Sequence, residues 1–177
     1  MTDDRRKVID AFLNNEEESR VPVAFWHHFV SFHDHYSGAD EEIYRIVLRE
    51  QKKFADEVKP DLLKIMSDGF FGHPSVCRKT IRTTEDLAEL GPVGAEHPWI
   101  TKQVEYVKEI CDYCGNDVYK YYNIFSPLQY IRLRFEEYDE DFRKFVRLFH
   151  ESPETMVKAA KCIASDTKCL VKRLFEE

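Results

Sequence analysis

The sequence carries seven histidines, and five of them fall in two short stretches: His27, His28, His33 and His35 in one, His73 in the other. The second stretch also holds an acid and two aromatics, in the order Asp68-Gly69-Phe70-Phe71-Gly72-His73. Imidazoles move protons near neutral pH and ligate metals. A carboxylate can steady a cation or accept hydrogen bonds from N–H groups. Asp68, His27 and His28 are therefore the candidate catalytic groups, with Phe70, Phe71 and His73 as candidate pocket residues. A plain alternative stands beside this, because Asp before Gly is also a common turn residue.

No metal ligand is assigned. If the histidines do bind a metal, His33 and His35, spaced around Asp34, form the best-placed pair. Cys111 and Cys114 have the spacing of a redox or zinc CxxC, but there is no second such pair. Both continue the apolar seam Ile100, Val104, Val107 of a helix, so they are expected to be core residues. Five cysteines in all, without the spacing of a secreted framework, point to reduced thiols.

The elements that must position these groups alternate in type. Thr2-Asp3-Asp4 can start a leading helix with the stripe Val8, Ile9, Phe12, Leu13. Arg20 to Trp26 is almost wholly apolar and predicts a strand buried on both faces, with Pro22 near its start. Asp40 can cap a helix from Glu41 to about Val58, which Lys59-Pro60 stops. Asp61 to Met66 predicts a second strand; Leu62, Lys64, Met66 and Asp68 share one face, Leu63 and Ile65 the other. Lys64 therefore joins Asp68 as a candidate substrate contact, with solvent exposure at a sheet edge as the alternative.

A short helix at Thr84–Leu87 and a long one from Pro98 to Cys114, stopped by Gly115, come next. Val118 to Ile124 predicts a third strand, leading to Ser126-Pro127 as a helix start. Asn123 lies there and joins the candidate substrate-binding set, to which the resemblance described below adds Tyr130. Two further helices carry Phe142, Phe145, Val146, Phe149 and then Met156, Ala160, Ile163, Leu170. Strands alternating with helices predict an α/β fold with about three parallel strands, whose ligand sites sit at the carboxyl ends of the strands.

The bulk numbers set limits. A chain of 177 residues with 43% hydrophobic and 33% charged residues fits a single domain over 1–177. At a net charge of −7, with no long Lys/Arg run, nucleic acid is not an expected partner. No apolar run approaches ~20 residues, so no membrane span is expected, and the start does not resemble a signal peptide. A cytoplasmic protein is expected.

Three blocks at the strand ends resemble the uroporphyrinogen decarboxylase family, which includes methylcobalamin:coenzyme M methyltransferases. They are Val21-Pro22-Val23-Ala24-Phe25-Trp26-His27-His28-Phe29, Pro60-Asp61-Leu62-Leu63-Lys64-Ile65-Met66-Ser67-Asp68-Gly69 and Tyr122-Asn123-Ile124-Phe125-Ser126-Pro127-Leu128. The similarity runs along nearly the whole chain. It implies part of a (β/α)8 barrel, a fold of about 250 residues, and this chain resembles the N-terminal part.

The resemblance also implies roles. Asp68 matches the family's essential Asp at the end of the second strand. The decarboxylases carry an Arg at the end of the first strand where this chain has His27 or His28. Their Tyr after the third strand does not align cleanly: the count leads nearer Leu133, with Tyr130 only a neighbour. A substrate with many carboxylates favours bidentate Arg donors, so the aromatic-His strand end resembles more the uncharacterised or methyltransferase-like branch, with decarboxylase and methyltransferase both left open. The zinc ligands of that branch lie in the C-terminal half, outside what this chain resembles. The expected activity is decarboxylation or methyl transfer on a tetrapyrrole or corrinoid-linked substrate. Corrinoid would come as substrate or as a partner-borne cofactor. A homo-oligomer or a separate C-terminal half-barrel chain would complete the site. The alternative is a non-catalytic binding or assembly module.

Overall fold

A computed structural model describes residues 5–17, 20–77 and 80–176. In chain order the elements are α1 (Arg5–Leu13), a 3-10 turn (Phe32–Tyr36), α2 (Glu41–Val58), β1 (Leu62–Ile65), α3 (Pro74–Cys77), α4 (Thr84–Ala88), α5 (Pro98–Cys114), β2 (Tyr119–Tyr122), α6 (Pro127–Leu133), a π-helical turn (Arg134–Tyr138), α7 (Phe142–Glu151) and α8 (Pro153–Glu176). Among the described residues the sheet has two strands, β1 and β2, paired in parallel with Leu62 opposite Tyr119 and Ile65 opposite Tyr122. The fold is a mostly helical α/β arrangement, and the described residues form no barrel.

Local chemistry explains where the helices begin and end. The Asp40 carboxylate accepts from the Glu42 and Ile43 backbone N–H groups, and Lys59 ends α2 in the left-handed region at φ 49°. Thr83 and Asp86 form a reciprocal capping box on α4. His97 caps α5 ahead of Pro98, and Gly115 closes it at φ 58°. Ser126 caps α6 through the Gln129 N–H. The expected cap at Thr2–Asp4 lies outside the described residues.

Two apolar clusters hold these elements. Leu63 and Ile65 bury one face of the sheet against Val47 and Phe54 of α2 and Tyr106 and Ile110 of α5. Each such side chain contributes roughly 1.5–3 kcal/mol by leaving water. The larger cluster is helical: α8 buries Met156, Ala159, Ile163, Asp166 and Leu170 at spacings of three and four. Trp99, Ile100, Ile131, Phe135 and Leu148 meet that seam.

The first predicted strand is absent, and the reason is chemical. Val23 O accepts from the Asp61 N–H at 2.9 Å, so the segment does start a pairing with the chain before β1. The return bond goes elsewhere: Val23 N–H donates to the Asp61 carboxylate at 2.7 Å. Pro22 has no N–H to offer. Arg20 locks the same carboxylate with two bonds of 2.6 Å. A side chain thus takes the place of the ladder. Burial was also overestimated, since Val21 is 78% exposed and Phe25 58%.

Candidate functional site

The site forms where β1 ends. Ser67, Asp68, Gly69 and Phe70 are all buried immediately after the strand. Asp68 has no exposed surface at all. Such a carboxylate costs free energy unless its oxygens are hydrogen-bonded, and two donors meet it. Phe29 N–H donates to Oδ2 at 2.6 Å, and His28 Nδ1 lies 2.8 Å from Oδ1. A charged carboxylate accepts from the His28 Nδ1–H, and in the neutral ring Nε2 is then an acceptor. The His28 side chain is about half exposed, so it bridges the buried acid and solvent.

A second loop is clamped onto the first. Gly38 N–H donates to Gly69 O at 2.7 Å, and Phe71 N–H donates to His35 O at 3.0 Å. Gly69 sits at φ +88°, and a Cβ there would stand 2.5 Å from Gly38 Cα. A Cβ on Gly38 would stand 2.7 Å from the Gly69 backbone. Only a glycine pair lets the two backbones approach so closely. The clamp carries His35, itself buried, to the site: its ring lies 4.4 Å from that of His28 and 4.8 Å from Phe71. One donor atom from each of His28, His35 and Asp68 lies within 4.8 Å of the others.

Phe71 packs edge-on against His28 at 5.4 Å and Phe125 at 5.1 Å. Asn123 tethers the end of β2 to that of β1 by donating to Ser67 Oγ at 2.9 Å. Lys64 reaches over the Trp26 ring at 4.8 Å. Burial lowers its pKa more than the nearby Asp68 charge raises it. Behind the acid, burial first and the Asp68 charge second hold the Tyr106 hydroxyl protonated well above its ordinary range.

Other expected contacts are directed elsewhere. His27 turns away to pack on Phe29 and Phe54, at 4.9 and 5.2 Å. Phe70, His73 and Tyr130 are buried in the helical part of the molecule. Phe70 and Tyr130 belong to the large apolar cluster. His73 takes the Ser75 hydroxyl at 2.7 Å on Nδ1, lies 3.3 Å from Asp166 through Nε2, and packs edge-on to Trp99. Burial pushes its pKa down to about 4. His73 and Tyr130 pack the helical core, while Phe70, itself a residue of the Asp68 loop, sets its ring against Gly38, where a Cβ would stand 2.9 Å from it. Cys111 and Cys114 are half-buried beside the second cluster, as their helical seam predicts, and burial raises both thiols.

Sequence reasoning left His35 outside the site proper and did not single out Gly38. The only local signal was a glycine in each of two loops, and nothing in the spacing says that the two meet. Gln51 was missed too: buried on α2, it accepts from Met66 N–H at 2.8 Å and from the Tyr106 hydroxyl at 3.2 Å, securing the strand just before Asp68.

An apolar cleft of about 400 Å³ lies at the other end of the strands, lined by Ile9, Phe12, Leu13, Val21, Leu62 and Tyr119 among others. It is separate from the Asp68 loop. No helix among the described residues is long and apolar enough to cross a membrane. No protein-family model, curated protein or solved structure matches the chain.

Proposed function

We propose that the chain is a uroporphyrinogen-decarboxylase-like protein acting on a tetrapyrrole or corrinoid-linked substrate, with Asp68 as the group that meets it. One observation carries the reading: a wholly buried carboxylate stands at the carboxyl end of a parallel strand, beside a half-exposed imidazole. Parallel α/β proteins concentrate ligand sites at that end. The two carboxylate oxygens offer about four lone-pair positions, and Phe29 and His28 occupy two of them. Capacity therefore remains for the convergent pyrrole N–H groups of a tetrapyrrole, or for positive charge developing on one of its rings. His28 is placed to pass protons through Nε2, and Phe71 supplies a flat apolar wall.

The same reading needs a cover for the site. The sheet face bearing Leu62, Lys64, Tyr119 and Tyr121 adjoins the exposed side chains of Val21, Phe25 and Trp26. A second copy of the chain is proposed to seat there and close the substrate off from water.

The test is turnover. The full chain is incubated without oxygen with uroporphyrinogen, and separately with methylcobalamin and a thiol; products are followed by porphyrin chromatography and by loss of the methyl–cobalt absorbance. Conversion of one substrate that disappears in Asp68→Asn supports the proposal. Conversion of neither, or conversion that Asp68→Asn leaves intact, overturns it.

A further inference from the structure

The clustering of His28, His35 and Asp68 can be read without any reference to tetrapyrroles. We infer that these three side chains form a binding site for a divalent transition-metal ion. Three donors within 4.8 Å of one another are drawn from three separate places in the chain: the segment before the 3-10 turn, that turn, and the end of β1. Local sequence proximity therefore does not explain why the two histidines meet Asp68, which lies forty residues from His28. The Gly38–Gly69 crossing and the His35 O to Phe71 N–H bond bring them together.

The donor set has a definite chemical preference. Two imidazoles and one carboxylate suit zinc, iron(II), cobalt(II) or nickel(II), whereas magnesium and calcium favour all-oxygen shells. Three protein ligands leave at least one position open, the arrangement of catalytic rather than structural metal sites.

Distances support the geometry. His28 Nδ1 and Asp68 Oδ1 are 2.8 Å apart. Two ligands bonded at about 2.0–2.1 Å to one metal stand roughly 2.9–3.4 Å from each other, so this edge is already close to the required length. Closing the widest edge, 4.8 Å at most, takes a shift of about 1.5 Å, within reach of an imidazole rotation. The metal would replace the proton shared between His28 and Asp68. Oδ2 would keep its bond from Phe29 N–H, which fixes the plane of the carboxylate as outer-shell donors do in metal sites.

The experiment is a cobalt(II) titration of the full, metal-free chain, read by visible ligand-field bands, with zinc competition giving the affinity. One equivalent is expected to bind, with no thiolate-to-cobalt charge-transfer band. His28→Ala and His35→Ala are each expected to weaken binding by about tenfold or more, while His27→Ala and His33→Ala leave it unchanged. His28→Gln, whose amide can still donate to Asp68, is the second variant: with an unchanged circular dichroism spectrum it decides the matter if His28→Ala or His35→Ala does not fold, and it too is expected to weaken binding about tenfold or more. Absence of stoichiometric binding, a thiolate band, or affinity indifferent to His28→Ala overturns the inference. The result is independent of the turnover test: a chain that binds cobalt but converts no tetrapyrrole keeps the site and loses the proposed substrate.

Discussion

Asp68 and His28 are forty residues apart in the chain and 2.8 Å apart in the fold, the acid wholly buried and the imidazole half in water. Everything proposed for the molecule turns on that pair. The acid is held rigidly by the Phe29 N–H, and the imidazole provides its route to solvent.

The glycine crossing beneath the pair sets the first prediction. Gly69→Ala introduces a Cβ at φ +88° and 2.5 Å from Gly38 Cα. Backbone, not a flexible side chain, is in the way, so destabilisation of about 2–4 kcal/mol is expected. Chemical denaturation of the variant checks this. Gly94→Ala, also at positive φ (+92°) but with nothing within 4 Å of its Cβ, should cost less.

Asp61 sets the second. The Arg20 hydrogen bond, followed by that of Val23 N–H, holds its pKa below the usual carboxylate value, against the raising effect of burial. A depressed carboxylate contributes stability above the unfolded pKa and loses it as pH falls through the folded one. Stability from this lock is therefore full at neutral pH, begins to fall near the unfolded carboxylate value of about pH 4 and is lost as pH drops through the lower folded value. Asp61→Asn should cost about 1–3 kcal/mol at pH 7, with a much smaller difference from wild type at pH 3. Thermal melts at the two pH values measure it.

His73 gives a pH dependence in a different window. Its folded pKa is lowered to about 4 by burial, although Asp166 pulls the other way. The unfolded chain therefore takes up a proton near pH 6.5 that the native one refuses until near pH 4. Between those limits stability falls by up to about 1.4 kcal/mol per pH unit as pH drops. His73→Asn, which can still accept from Ser75, should flatten the stability profile in that interval while leaving the loss at lower pH in place.

Gln51 supports the strand that presents Asp68. Gln51→Leu leaves the Met66 N–H without its acceptor in a buried place. A loss of about 1–3 kcal/mol is expected, measurable by denaturant titration, with faster amide exchange at Met66.

Much of the fold was legible because its signals are local. The Asp40 and Ser126 caps, the Lys59 and Gly115 stops and the parity of Leu63 and Ile65 each act within a few residues. The strand at Arg20–Trp26 failed because its fate depends on a residue forty positions away: the Asp61 side chain takes the N–H that a ladder would need. The site was partly legible for the same reason. Asp68 and His28 stand at ends of segments that sequence could outline, whereas His35 enters through a glycine-to-glycine contact that no periodicity records. Phe70, His73 and Tyr130 share the polar or aromatic character of site residues, yet they are buried within the helical core. Residue type alone does not distinguish a pocket wall from packing.

The claim that Asp68 is the substrate-meeting group is tested most directly by equilibrium binding of an oxidation-stable tetrapyrrole, uroporphyrin or cobalamin, to the wild-type chain and to Asp68→Asn. Quenching of Trp26 and Trp99 fluorescence follows the titration. Saturable binding of one of the two, weakened about tenfold or more (roughly 1.4 kcal/mol) by Asp68→Asn in a variant with an unchanged circular dichroism spectrum, is the predicted result. No saturable binding of either tetrapyrrole, or equal affinity in the two proteins, would contradict it.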